Sequence, residues 1–241
     1  MSTSGNTIKV LTRDEIIGSA LRKLVVIDET QTPSSQQITF AAEALNLLVA
    51  EFRTLGMSVW ARADMTIPLV SGQKTYTIGV GQTINSPYPM YIYNMVLQQP
   101  PYDTQIEVMQ KAKIDFNLLP VGSSGVPVAY TYQPQVNVGQ LSVWPTPDSS
   151  VPVGTRLVLT YQRPIEVFDI ATDNPDFPQE WGNALIYNLA LALADEYGVA
   201  ADKQNRIEKA AANHLSAALS NSTEQGSLFM MPDWQQREGR F

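Results

Sequence analysis

The sequence predicts an α+β fold: a four-helix bundle formed by N- and C-terminal helix pairs, with an inserted all-β module and an extended C-terminal arm. Three observations predict it. Apolar residues recur at helical spacing at both ends of the chain, and the middle alternates with period two between Pro- and Gly-rich breaks. Residues 221–241 show no periodicity. The expected boundaries are 1–62 and 166–220 for the helical bundle, 63–165 for the β module and 221–241 for the arm.

The first helix starts at a capping box. Thr12 and Glu15 each satisfy an amide that would otherwise lack a partner. Ile16, Ile17, Ala20, Leu21, Leu24 and Val25 then line one face, to about Ile27. DETQTPSS breaks it. Ser34 and Gln37 form a second capping box, and Ile38, Ala41, Ala42, Leu45, Leu48, Val49, Phe52 and Leu55 form a stripe that Gly56 ends as a left-handed cap. A short loop between the two predicts an antiparallel pair.

From Met65, LVSGQKTYTIG reads as two extended runs around a Ser-Gly-Gln turn, the pattern of a hairpin. Met90 to Leu97, Pro127 to Tyr132, Gln140 to Trp144 and Thr155 to Gln162 are further strand candidates. Most of the 16 prolines fall in this region, where they suit turns and edge strands. Helical periodicity returns at Pro178, and Gly198 separates that helix from a last one with a face of Ile207, Ala210, Ala211, Leu215 and Leu219.

Composition excludes several kinds of function. At 241 residues and 44% hydrophobic content the chain can bury a sizeable core in one or two domains. Sixteen Lys and Arg against 23 Asp and Glu give a net charge of −7, which argues against electrostatic capture of a phosphate backbone. There is no cysteine, so disulfides and Cys-type zinc sites are absent, and the lone His214 cannot supply a two-imidazole mechanism. No phosphate-binding GxxxxGK[ST] loop, GxSxG elbow or calcium-loop spacing occurs. No cofactor and no metal are therefore expected. The first thirty residues lack the pattern of a signal peptide. The longest apolar run, 184–194, would span about 16 Å as a helix, half a bilayer core, so no membrane partner is expected.

One constellation invites an enzymatic reading. Asp169, Asp173, Asp176 and Glu180 have the residue type of a general acid and base for cleaving a cell-wall glycan. The competing reading places these acids, with Pro178, at the start of a helix, where the macrodipole favours negative charge. Tyr76, Tyr88, Tyr91, Tyr93, Tyr102, Tyr130, Tyr132, Tyr161 and Trp144 pose a similar choice between a glycan-binding tail module and strand residues facing a core. The arm carries Leu228, Phe229, Met230, Met231, Trp234 and Phe241. Six large apolar residues in a stretch that cannot form its own core need a surface to dock on.

The order of segments resembles the head-to-tail adaptor proteins of short-tailed and related bacteriophages, the group with the P22-type tail accessory or packaged-DNA-stabilisation factor. The resemblance runs from about Leu11 to Leu219. It rests on TRDEIIGSALRKLVVID, TPSSQQITFAAEALNLLVAEFRTLGMSVW, LVSGQKTYTIGVG, QLSVWPTPD, LVLTYQRPIEVFD and above all NPDFPQEWGNALIYNLALALADEYG. Within the last, Pro178, Glu180, Trp181, Leu185, Asn188, Leu189, Ala190, Leu193, Ala194, Glu196, Tyr197 and Gly198 fall in the family's order. It implies a structural virion protein of the head–tail junction, made in the host cytoplasm and without a chemical step. A homo-oligomeric ring of about twelve would sit below the portal protein, extend the DNA channel, help retain the genome and dock a downstream tail or nozzle protein. Double-stranded DNA would pass without sequence-specific binding. The resemblance also implies portal docking by the C-terminal segment, which gives Leu228, Phe229, Met230, Met231, Trp234 and Phe241 that expected role. GQTINSPYPMY and QQPPYDTQ depart from the compact members of that family.

A subunit of a closed ring meets its neighbours through two different patches, so its helices should be apolar on more than one face. The 184–194 run meets that condition, with Trp181, Leu185, Leu189 and Leu193 expected inside the bundle. Tyr187, Ala190 and Ala194 are the expected ring interface.

Overall fold

The computed structural model describes residues 10–54, 59–101 and 104–222. Its helices are α1 (Arg13–Leu24), α2 (Ser35–Phe52), α3 (Lys113–Asn117), α4 (Gly182–Ala194) and α5 (Ala201–Asn221). Its strands are β1 (Arg62–Pro68), β2 (Thr75–Ile78), β3 (Tyr91–Gln99), β4 (Thr104–Glu107), β5 (Met109–Gln110), β6 (Ala129–Gln135), β7 (Val138–Trp144) and β8 (Arg156–Gln162).

Both capping boxes form. Glu15 N donates to Thr12 Oγ1 and Thr12 N to Glu15 Oε2, and Ser34 and Gln37 make the same reciprocal pair. The first helix is shorter than its apolar stripe. It ends at Leu24 because Val25 turns into the left-handed region (φ 61°) and stays exposed. A β-branched residue is strained there. The Gly56 cap falls outside the described residues, and α2 is followed by Arg53 in helical conformation.

No four-helix bundle forms. The described residues contain five helices and two four-stranded sheets, and the region between the terminal helices is not all-β because it holds α3. The reason lies in α4. Of its 13 residues only Asn183 and Ala192 are exposed, so it is buried on almost every side rather than along one stripe. It packs against α1, α2 and α5, while α5 leans on α4 and the 3-10 turn Gln179–Trp181 with no extensive contact to α1 or α2. Three helices thus surround a fourth. Four helices sharing an axis would each leave one side to water. The extended arm lies outside the described residues apart from Asn221 and Ser222.

The two sheets run β1-β8-β3-β4 and β2-β7-β6-β5, antiparallel except for the short β5–β6 pair. In the first, Ile67, Leu157 and Leu97 lie side by side, as do Met65, Leu159 and Met95. These rows share one apolar core with Tyr76, Ile78, Leu141, Val143 and Tyr130 of the second sheet. The expected β1–β2 hairpin does not form: β1 pairs with β8 and β2 with β7. At the intervening turn Gly72 takes φ 81°, and its amide donates to Pro147 O at 2.8 Å. The chain therefore crosses between sheets, which puts the apolar sides of both strands on one core.

Candidate functional site

The segment between β8 and α4 attaches the strands to the helices through polar bonds. Asn46 of α2 clamps Phe168: its Nδ2 donates to Phe168 O and its Oδ1 accepts from Phe168 N, each at 3.0 Å. Arg163 forks onto Asp176, with Nη2 donating to Oδ1 at 2.7 Å and Nη1 to Oδ2, and the Glu166 amide also donates to Asp176. Asp173 Oδ2 accepts from the Ile170 and Asp169 amides at 2.8 and 2.7 Å. Arg13 N then donates to Asp173 O, which holds this turn against the start of α1.

This geometry gives two of the acids a role that neither reading named. Neither α4 nor the 3-10 turn before it has a side-chain cap, although Pro178 and Glu180 do stand at the start of that turn, where negative charge is favoured. Asp176 braces the segment because a bidentate guanidinium partner is a stronger attraction than a single amide at a helix start. Asp173 is an acceptor for two amides, while Asp169 and Glu180 are exposed. Two of the four acids are thus engaged as structural acceptors.

The Ile170 and Asp169 amides, with a minor contribution from Arg13, hold the Asp173 carboxyl below its ordinary range. A depressed folded-state pKa stabilises above the unfolded value and loses that contribution as pH falls through the folded one. Asp173→Ala should therefore lower stability at neutral pH and converge with the parent in strong acid. Chemical denaturation at several pH values checks this.

The tyrosines divide as strand residues do. Tyr76, Tyr130 and Tyr161 face the sandwich core, and burial, with Tyr91 and Glu107 adding to it, pushes the Tyr130 phenol up to about 12. Tyr91 is exposed, and Tyr93 stacks edge-on against it at 5.2 Å beneath the Arg62 guanidinium. Tyr102 is outside the described residues.

The expected ring-interface residues lie as follows. Ala190 and Ala194 are fully buried in the helical core of this chain. Tyr187 is half-buried, with its ring stacked on His214 of α5 at 4.9 Å and Lys23 of α1 5.0 Å from its centroid. Two large apolar residues face outward on α2 with exposed Glu43 between them: Leu47 is 73% exposed and Phe40, seven residues earlier on the same side, 40%. Leu228, Phe229, Met230, Met231, Trp234 and Phe241 lie outside the described residues.

Sequence reasoning missed the aromatic junction. Phe52 closing α2, Trp60 before β1, and Phe177 and Trp181 before α4 pack together at ring-centroid distances of 5.1 to 6.3 Å. Trp181 Nε1 donates to Ser222 Oγ at 3.3 Å, which fixes the end of α5 at the same place. Beside this junction, Val10, Leu11, Phe177, Pro178 and Gly182 line an open depression of about 370 Å³.

Among the described residues no group of three or more His, Asp or Glu could hold a metal ion, and no helix is long and apolar enough to cross a membrane. No curated protein matches the chain by sequence. The family model described as SU10 adaptor protein matches residues 11–232, nearly the whole chain, and takes in both helical ends, the two sheets and the start of the arm. The chain therefore belongs to the SU10 adaptor protein family, a family of phage head-to-tail adaptors.

Proposed function

We propose that the protein is a structural subunit of the phage head–tail junction that works as a ring, and the match over residues 11–232 carries this reading. About twelve copies stand below the portal protein and extend its channel. They help retain the packaged genome and offer a docking surface to a downstream tail or nozzle protein. DNA passes without sequence-specific binding, in keeping with a net charge of −7. Assembly takes place in the host cytoplasm.

The regions divide this work. Residues 1–62 and 166–220 carry the contacts between copies, 63–165 face the tail component, and 221–241 reach the portal. The outward-facing Phe40 and Leu47 of α2 support the contact between copies, since a closed ring needs patches beyond those that build the subunit. Tyr187, Ala190 and Ala194 contribute from beneath by fixing α4 against its neighbours. On the strand side, Ile114 of α3 and Leu118 just past its end are 78% and 80% exposed, and support docking of the tail component there.

Deleting residues 223–241 should abolish portal binding in a pull-down while thermal unfolding stays cooperative. Undiminished binding by the truncated chain would remove the arm from the account.

A further inference from the structure

Both α2 and α5 pack on α4, yet they make no extensive contact with each other. Each carries an outward row at alternating spacings of four and three, the seam pattern of paired helices. On α2 the row is Gln36, Phe40, Glu43, Leu47 and Ala50, all exposed. On α5 it is Asp202, Arg206, Lys209, Asn213 and Ser216, exposed as well. The two helices also end at one place. Trp181, just before α4, touches Phe52, the last residue of α2, at 5.7 Å and bonds Ser222, just past α5, at 3.3 Å.

We propose that the α2 row of one copy packs in parallel on the α5 row of the next, a pairing that deepens the ring reading and rests on it. Three observations select a second copy of this chain as the partner. First, a ring contact joins two different patches of one chain, and rotation about an axis along the helices leaves their heights unchanged. With Phe40 opposite Arg206, Phe52 stands at the height of Ala218, about one turn from the level that Trp181 already gives it beside Ser222. Second, this register matches charge. Glu43 meets Lys209, and neither has an ion-pair partner among the described residues. The Phe40 ring meets Arg206, whose Nε donates within its own helix to Asp202 O, and the Gln36 amide meets the Asp202 carboxylate. Glu51 and Glu208 are exposed beside the rows rather than in them, so no like charges oppose. Third, the sizes interlock. Leu47, the most protruding residue of its row, meets Ala212, Asn213 and Ser216, whose short side chains leave a hole for it, and Ala50 opposite Ser216 lets the backbones come close.

The absence of native cysteine makes the test direct. Ala50→Cys with Ser216→Cys in the full-length chain, bound to portal rings and oxidised, should give a ladder of linked copies on a non-reducing gel, because facing seam positions lie within the roughly 7 Å between Cα atoms that a disulfide spans. Neither cysteine alone should link copies. Val136→Cys, in the exposed β6–β7 turn, with Ser216→Cys should give at least about fivefold less. Glu43→Lys in the first pair should cut the ladder at least about fivefold by repulsion from Lys209, and adding Lys209→Glu should restore it. Circular dichroism confirms that each variant folds. Rings seen on the portal by electron microscopy without the ladder would overturn the pairing and leave the ring reading standing, whereas bare portal rings would overturn both. Linkage by either cysteine alone, or no recovery in the charge swap, would also overturn the pairing.

Discussion

Trp181→Ala is expected to lower the free energy of unfolding by about 3–5 kcal/mol, read from the midpoint of denaturant unfolding. Trp181 is only 2% exposed. Its indole packs against Phe52 at 5.7 Å, Trp60 at 6.1 Å and Phe177 at 5.3 Å, so truncation leaves a cavity lined by three rings from three separated segments. Those walls cannot collapse together, because α2 and β1 are each held by their own ladders. Trp181→Phe keeps most of the volume and removes the donor to Ser222. It should cost about 1 kcal/mol for the lost bond, and somewhat more for the smaller ring. Equal losses for the two substitutions would mean that the hydrogen bond, and not the packing, holds the junction.

Gly139→Ala is expected to destabilise the sandwich by about 1–3 kcal/mol through overpacking. Gly139 lies in β7 at the centre of its sheet, between Ile78 of β2 and Pro134 of β6. A methyl there would fall on the Tyr132 ring, 2.8 Å from Cε2 and 2.9 Å from Cζ, with the hydroxyl oxygen closer still. Tyr132 cannot swing aside freely, since its hydroxyl donates to Pro89 O. The effect is steric, because Gly139 has an ordinary strand backbone. Adding Tyr132→Ala should therefore cost less in the Gly139→Ala background than alone, a coupling of about 1 kcal/mol or more. Strictly additive thermal melts would rule out this clash as the cause.

Features set by neighbours in sequence were legible before the fold was known. The capping boxes at Thr12 and Ser34 depend on residues three apart, and β3, β6, β7 and β8 each carry their own alternation. Pairing was not legible. The turn at Gly72 reads as a hairpin locally, yet the destination of β2 is decided by β7, more than sixty residues later. The bundle failed for a related reason. An apolar run says that α4 is buried, but not whether its second side meets another copy or helices of the same chain. Here Ala190 and Ala194 are covered from within.

The acids between Asp169 and Glu180 took partners that the sequence did not announce. Arg163 and the turn amides take up Asp176 and Asp173, and no spacing rule announces a fork across a loop. Half of the aromatic junction was legible, since Phe52 and Trp181 were expected in the core, but Trp60 and Phe177 sit in segments without periodicity. The family was legible because an ordered series of segments persists even where single segments are ambiguous, and the match over 11–232 agrees with that series.

The central claim is that this chain assembles as a ring on the portal. Mixing the purified protein with portal rings and imaging the product by electron microscopy tests it most directly. A second ring of about twelve copies coaxial with the portal is expected, its channel continuous with the portal's. Portal rings that remain bare at saturating protein, or that carry isolated off-axis subunits, would contradict it.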